Sequence, residues 1–139
     1  NEFVTNVCNS TSVGSILTMY ASGDKWSYVA RNSDGFVQKV VEKVQISNEA
    51  TVGIYGWQKA KYFYDSFDRM VKVDDRTNNE FYVAPSYNYL IELGFTISAE
   101  NIGKVEEKIF GLGTPEDLDK FLAIEDFVEL AKELKLSLE

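Results

Sequence analysis

Glu42 and Lys43 put a carboxylate and an ammonium side by side in a stretch running from Trp26 to Trp57. At the end of a strand such a pair can grip a polyhydroxylated, phosphorylated ligand. The carboxylate accepts hydrogen bonds from hydroxyls, and the lysine donates to phosphate. Taken alone, a Glu-Lys dipeptide is more often a solvated charge pair than a site, and spacing by itself does not separate the two. Gly111-Leu112-Gly113-Thr114 could hold an anion on backbone amides, although a plain strand-to-helix corner explains it as well. The adjacent acids Asp74-Asp75 and Glu106-Glu107 lie in polar stretches and read as solvated acids more readily than as a metal cradle. The chain has no histidine, which excludes Ser-His and Cys-His nucleophile schemes built from these residues. Chemistry would fall to carboxylates, lysine, tyrosine or a bound metal.

The elements that must position this pair follow from periodicity. Residues 1–9 read as the last turns of an amphipathic helix, and Ser15–Tyr20 as a strand. Trp26, Tyr28 and Ala30 alternate with Ser27, Val29 and Arg31, the pattern of a half-buried strand. Asn32-Ser33-Asp34-Gly35 turns the chain, and Phe36–Val41 returns antiparallel. Ala50–Trp57 is a further strand, in which Gly53 marks either a bulge or a close approach to the backbone. From Gln58 the period becomes helical, with Ala60, Phe63, Tyr64, Phe67, Met70 and Val71 on one stripe expected to pack on a sheet. The aromatics Tyr62, Phe63, Tyr64 and Phe67 therefore read as core and not as a stacking platform. Asp74–Glu80 is a polar loop, Pro85 opens a second helix that Gly94 ends, and Phe95–Ala99 and Val105–Phe110 read as two short strands around a turn at Asn101–Gly103. Thr114-Pro115-Glu116-Asp117 starts a late helix: a hydroxyl cap, proline at the first helical position, then two acids near the positive end of the dipole. Whether it runs through Leu134 or breaks near Ala123 stays open. This order predicts an α/β fold with a mixed sheet and flanking helices.

The sequence has 139 residues, 45% hydrophobic and 14% aromatic, enough for one compact domain spanning 1–139 and too little for two. A net charge of −8 argues against a nucleic-acid or anionic-membrane surface. The single cysteine, Cys8, cannot close an intrachain disulfide, so a reducing compartment, the cytoplasm, is expected. No apolar run approaches the roughly 20 residues of a membrane helix. The chain opens at Asn1 without a methionine, and an excerpt from a longer protein is expected.

In combination the motifs go further. W-S-Y-V, D-G-x-V, E-K-x-x-I-S, A-T-V-G-I-Y, N-E-F-Y-V-A-P-x-Y-N-x-L-I and G-L-G-T-P-E-D-L follow one another in an order that resembles the second half of the bacterial sugar nucleotidyltransferases. These are the sugar-1-phosphate pyrophosphorylases, with a glycosyltransferase-A-like fold. The resemblance spans roughly residues 13–122. It implies an acceptor-binding, C-terminal portion of an enzyme that joins a nucleoside triphosphate to a sugar 1-phosphate and releases pyrophosphate. It further implies that Glu42 takes sugar hydroxyls and that Lys43, the catalytic candidate, holds the sugar phosphate. Ser27, Val52 and Gly53 would line the sugar, with Tyr55 nearby and Glu80 by the entrance or the acceptor phosphate. Magnesium is implied for the whole enzyme, with its main ligand in a first half that also carries the glycine-rich nucleotide signature; none of that half's motifs is in this sequence, which alone would be inactive. Two positions depart from the pattern. Many relatives have a magnesium-binding aspartate where this chain has Gly111, and many sugar-specific members have an arginine just ahead of the Glu80 position, where this chain has Asn78 and Asn79, with Arg76 as a possible substitute. The rival readings are a phospho-sugar-binding module without catalysis and an oligomerisation module. If a missing half supplied strands beside Ser15–Tyr20, that edge would be open to a homodimer.

Overall fold

The computed structural model describes residues 2–105 and 109–123. They fall into two compact units, Asn1–Lys104 and Val105–Glu139, where the sequence suggested one piece. The first unit holds α1 (Glu2–Asn9), β1 (Gly14–Tyr20), β2 (Ser27–Arg31), β3 (Val37–Glu42), β4 (Glu49–Trp57), α2 (Ala60–Lys72), a 3-10 turn at Ala84–Ser86, α3 (Tyr87–Glu92) and β5 (Ile97–Lys104). The strands form one five-stranded mixed sheet in the order β3-β2-β4-β1-β5. Only the β1–β5 pair is parallel, its crossover carrying α2 and α3. The fold is α/β with helices flanking a mixed sheet. Among the described residues no helix is long and apolar enough to cross a membrane.

The β2–β3 hairpin forms where turn chemistry demands it. Asn32 Oδ1 accepts from the amides of Asp34 (3.1 Å) and Phe36 (3.0 Å), and Gly35 takes φ +85°, which a side chain would resist. β1, which the sequence left as a possible open edge, is interior: β4 flanks it on one side and β5 on the other, and Gly14 through Met19 are buried. Among the described strands the edges are β3 and β5. β3 is partly covered, because the Asn88 side chain mimics a strand, accepting from Val40 N at 2.9 Å and donating to Val40 O at 2.8 Å.

Two expectations fail for physical reasons. The polar run Asn101–Gly103 does not turn the chain; it makes a bulge inside a continuous β5. Asn101 Oδ1 accepts from Gly103 N at 3.0 Å, and the register with β1 slips between Thr18 and Tyr20. In α2 the stripe is rotated: Ser66 and Met70 are buried, Tyr62, Phe63 and Phe67 are half-buried, and Tyr64 and Val71 are exposed. The helix packs chiefly on α3 and the 3-10 turn and touches the sheet at β4. Small Ser66, its hydroxyl bonded to Phe63 O at 3.0 Å, suits that close helix-on-helix contact.

The core lies between the sheet and α3. Ile16, Val29, Val40, Leu90 and Ile97 surround Tyr87, whose ring stacks on Trp57 at 4.6 Å and whose hydroxyl donates to Gly56 O at 2.9 Å. Gly14 makes room for it, since a Cβ there would sit 2.6 Å from the Tyr87 ring. In the second unit Thr114 Oγ1 accepts from Asp117 N at 3.1 Å and caps α4 (Pro115–Leu122), with Pro115 in its first turn, as the motif predicts. α4 stops at Leu122, with Ala123 as its C-cap. The rest of the predicted helical pattern, and Glu106-Glu107, lie outside the described residues.

A polar network crosses the sheet. Glu49, buried on β4, takes hydrogen bonds from Arg31 Nε (2.8 Å), Arg31 Nη2 and Thr18 Oγ1 (2.5 Å). Burial alone would raise the Glu49 pKa, but the Arg31 and Thr18 hydrogen bonds and the Arg31 charge outweigh it and hold the carboxyl below its usual range. A group lowered on folding adds stability above its unfolded value, about 4.3 for glutamate, and loses it as pH falls through the folded value. Thermal melts from pH 6 to pH 3 should therefore fall more steeply for the wild type than for Glu49→Gln. At pH 6 the substitution is expected to cost about 1–3 kcal/mol, less than for a fully buried pair because Arg31 is partly solvated. Parallel pH profiles would show that Glu49 is not the group responsible.

Candidate ligand-binding cleft

The antiparallel register sets Ser27 opposite Glu42 at the end of the hairpin. Ser27 Oγ donates to Glu42 Oε2, and Glu42 is only 7% exposed. Both side chains line a cleft of about 370 Å³ together with Val52, Gly53 and Tyr55, so five of the seven positions singled out in the sequence share one cavity. Lys25, Trp26, Thr51, Tyr82, Val83 and Ala84 complete its walls.

The β4 wall is shaped by an irregularity. Ile16 faces Tyr55 and Thr18 faces Thr51, so Leu17 alone stands opposite Val52, Gly53 and Ile54. This bulge swings Val52 and Gly53 into the cleft. Gly53 has φ +81°, and no atom lies within 4 Å of where its Cβ would be. Tyr55 Oη pairs with Thr51 Oγ1 at 2.9 Å. Burial raises the Tyr55 pKa, with a further push from the Glu42 charge, so the phenol stays protonated and able to donate at neutral pH.

Lys43 stands at the rim. Its amide bonds to Trp26 O at 2.9 Å, closing the hairpin end, and its φ of +56° is a left-handed conformation that non-glycine residues rarely adopt. The ammonium donates to Tyr82 Oη at 2.6 Å, and that hydroxyl donates to Glu80 Oε2 at 2.6 Å. The Tyr82 hydrogen bond, with the charges of Glu42 and Glu80 adding to it, holds the lysine above its ordinary value. Lys43 and Glu80 thus reach the cleft through Tyr82, which the sequence reading missed. Glu80 and Tyr82 are two apart in sequence, but their partner Lys43, just past the end of β3, lies 39 residues from Tyr82. Lys25-Trp26, directly before Ser27, was also overlooked; its ammonium lies 4.8 Å from the Trp26 ring centroid.

The loop beneath Tyr82 explains Asn78 and Asn79. Thr77 and Glu80 exchange backbone hydrogen bonds at 3.0 Å, and the two asparagines between them take φ +50° and +65°. That is a two-residue turn of the kind asparagine tolerates best among side-chain-bearing residues. Arg76 braces it, bonding to Asp74 Oδ1 (2.5 Å) and Asn79 O (3.0 Å) and lying 4.0 Å over Phe81. It is absent from the cleft lining, as are Lys43 and Glu80. Asp75 accepts from Tyr89 Oη at 2.8 Å. Among the described residues no three Cys, Asp or Glu side chains are grouped so as to hold a metal ion.

No family model matches the sequence, and no curated protein matches it significantly. Among solved structures, the nucleoside-diphosphate-sugar pyrophosphorylase from Vibrio cholerae RC9 superposes with a TM-score of 0.72 at 25% identity. The match covers 80% of this chain and 46% of that one, so this chain spans about half the length of that enzyme. The fold is therefore of the nucleotidyltransferase kind seen in sugar-nucleotide pyrophosphorylases.

The left-handed backbone at Lys43 yields a test of whether that residue is there for stability. Glycine relieves the conformation while alanine keeps it, so Lys43→Gly should melt roughly 2–5 °C above Lys43→Ala and no lower than the wild type. A Lys43→Gly variant melting well below both would mean that the lysine side chain chiefly holds the fold.

Proposed function

We propose that the cleft binds a sugar 1-phosphate, or a similar phosphorylated acceptor, and that the chain is the acceptor-binding, C-terminal part of a nucleotidyltransferase. The observation carrying this reading is the buried Glu42, fixed by Ser27 on the cleft wall, with the Lys43 ammonium held at the rim on Tyr82. A buried carboxylate is an acceptor for ligand hydroxyls, and a rim lysine is a donor for phosphate. The exposed backbone of Val52 and Gly53 lets a sugar ring approach, Tyr55 borders it, and Glu80 acts through Tyr82 to orient Lys43.

In the reaction an oxygen of the sugar phosphate attacks the α-phosphorus of a nucleoside triphosphate. The new P–O bond forms as the bond to the β-phosphate bridge breaks, and pyrophosphate leaves. Lys43 is the catalytic residue in this proposal: it holds the attacking phosphate and offsets its charge, so the protein supplies position and electrostatics without covalent help. The nucleoside triphosphate and its magnesium would be held by residues other than those described. By itself the chain binds acceptor without turning it over. That makes it, in isolation, a phospho-sugar-binding module.

Titration with glucose 1-phosphate and with inorganic phosphate separates the roles. Lys43→Ala should weaken both by roughly 10–100-fold, the worth of one charge-assisted hydrogen bond, whereas Glu42→Gln should weaken glucose 1-phosphate and leave inorganic phosphate unchanged. Unchanged affinities in both variants would contradict the site. Pyrophosphate release from this chain with triphosphate and sugar phosphate, at about 1 per second or faster, would contradict the absence of turnover.

A further inference from the structure

α2 carries a second apolar stripe beside the one it buries. Ser66 and Met70 face the protein, with Tyr62 and Phe63 half-buried next to them. A step round the helix, Ala60, Tyr64, Phe67 and Val71 recur at intervals of four, three and four residues, the spacing of a coiled-coil seam. That stripe is open to water: Ala60 and Val71 are exposed, Tyr64 is 72% exposed and Phe67 is half-buried. Phe63, Tyr64, Phe67, Asp68 and Val71 frame a groove of about 370 Å³ over its middle, large enough to take a side chain from another helix.

The flanking charges say which helix. Lys61 and Asp68 border the stripe on its solvent side, each exposed and paired within the helix, Lys61 Nζ with Asp65 at 2.7 Å and Asp68 with Lys72 Nζ at 2.6 Å. The other border is Phe63 and Met70, which pack into their own chain. If a second α2 lies antiparallel across the stripe about a two-fold axis, Tyr64 of each copy meets Phe67 of the other, and Ala60 meets Val71. The same register brings Lys61 of each copy beside Asp68 of the other, so one arrangement buries the stripe and forms two identical ion pairs. A parallel pair would lay Lys61 and Asp68 against the apolar border and leave them without opposite charges across the contact. We propose that this face of α2 is an interface between two copies of the chain, packed as an antiparallel helix pair. A contact along one helix of thirteen residues is smaller than the roughly 800 Å² per partner of a standard interface, so monomer and dimer exchange in the micromolar to millimolar range.

Sedimentation velocity of the full chain across that range should show a monomer–dimer equilibrium. Lys61→Glu and Asp68→Lys each make both facing pairs repulsive, and each should weaken dimerisation roughly 5–30-fold. An equimolar mixture of the two variants should regain wild-type affinity, because in the mixed dimer every facing pair is again of opposite sign. Tyr64→Glu sets a charge in the seam and should abolish the dimer. Since Tyr64 is exposed, this variant should melt with the wild type when both are diluted to monomers. A chain that stays monomeric throughout the range would overturn the proposal, as would a dimer that Tyr64→Glu leaves intact. Charge variants that dimerise like the wild type, or a mixture as weak as its components, would overturn the antiparallel pairing.

Discussion

Glu42 is a carboxylate taken out of water on the last residue of β3, and much of the local architecture keeps it satisfied. A buried carboxylate is costly unless hydrogen bonds replace its hydration, and here the Ser27 hydroxyl opposite supplies one. That pairing depends on the register of the hairpin, which is set by the Asn32–Gly35 turn at its other end. A slip of one residue would exchange the faces of β3 and carry Glu42 out of the cleft. The turn chemistry therefore fixes the site from five residues away on the β2 side (Ser27 to Asn32) and seven on the β3 side (Gly35 to Glu42).

Beyond Glu42, backbone irregularities gather around the same cavity. Lys43 is left-handed, β4 bulges at Val52–Ile54, and Asn78 and Asn79 are both left-handed in the loop that presents Tyr82. Conformations of this kind persist where the surroundings over-determine them, and their clustering is a mark of functional sites. Their common effect is to expose main chain on one wall and to place an ammonium on the rim opposite. A regular sheet would present alternating side chains instead and would leave no room for a ligand between β2 and β4.

What could be read from sequence was local. The hairpin was legible because Asn-Ser-Asp-Gly carries its own instructions, and the cap at Thr114 for the same reason. Glu42, Ser27, Val52, Gly53 and Tyr55 came from the order of short motifs, and all five line one cleft. The failures were tertiary. Asn101–Gly103 has turn composition, yet pairing with buried β1 absorbs it as a bulge. The exposed side of α2 carries Tyr64 and Val71, so apolar periodicity pointed to the wrong stripe, and only packing on α3 shows which side is buried. Tyr82 was invisible because its role is defined by a lysine distant in sequence. The likeness to a sugar-nucleotide pyrophosphorylase supports the fold, and the roles proposed for Glu42 and Lys43 go beyond it.

A crystal structure of the chain with glucose 1-phosphate addresses those roles most directly. The expected result is a ligand in the cleft, its ring hydroxyls within about 3 Å of Glu42 and its phosphate within about 3 Å of Lys43 Nζ, the distances of ordinary hydrogen bonds. Lys43 would then have exchanged its hydrogen bond to Tyr82 for one to phosphate. A ligand bound elsewhere on the chain, with Lys43 still on Tyr82 and nothing against Glu42, would contradict the assignment of this cleft as the acceptor site.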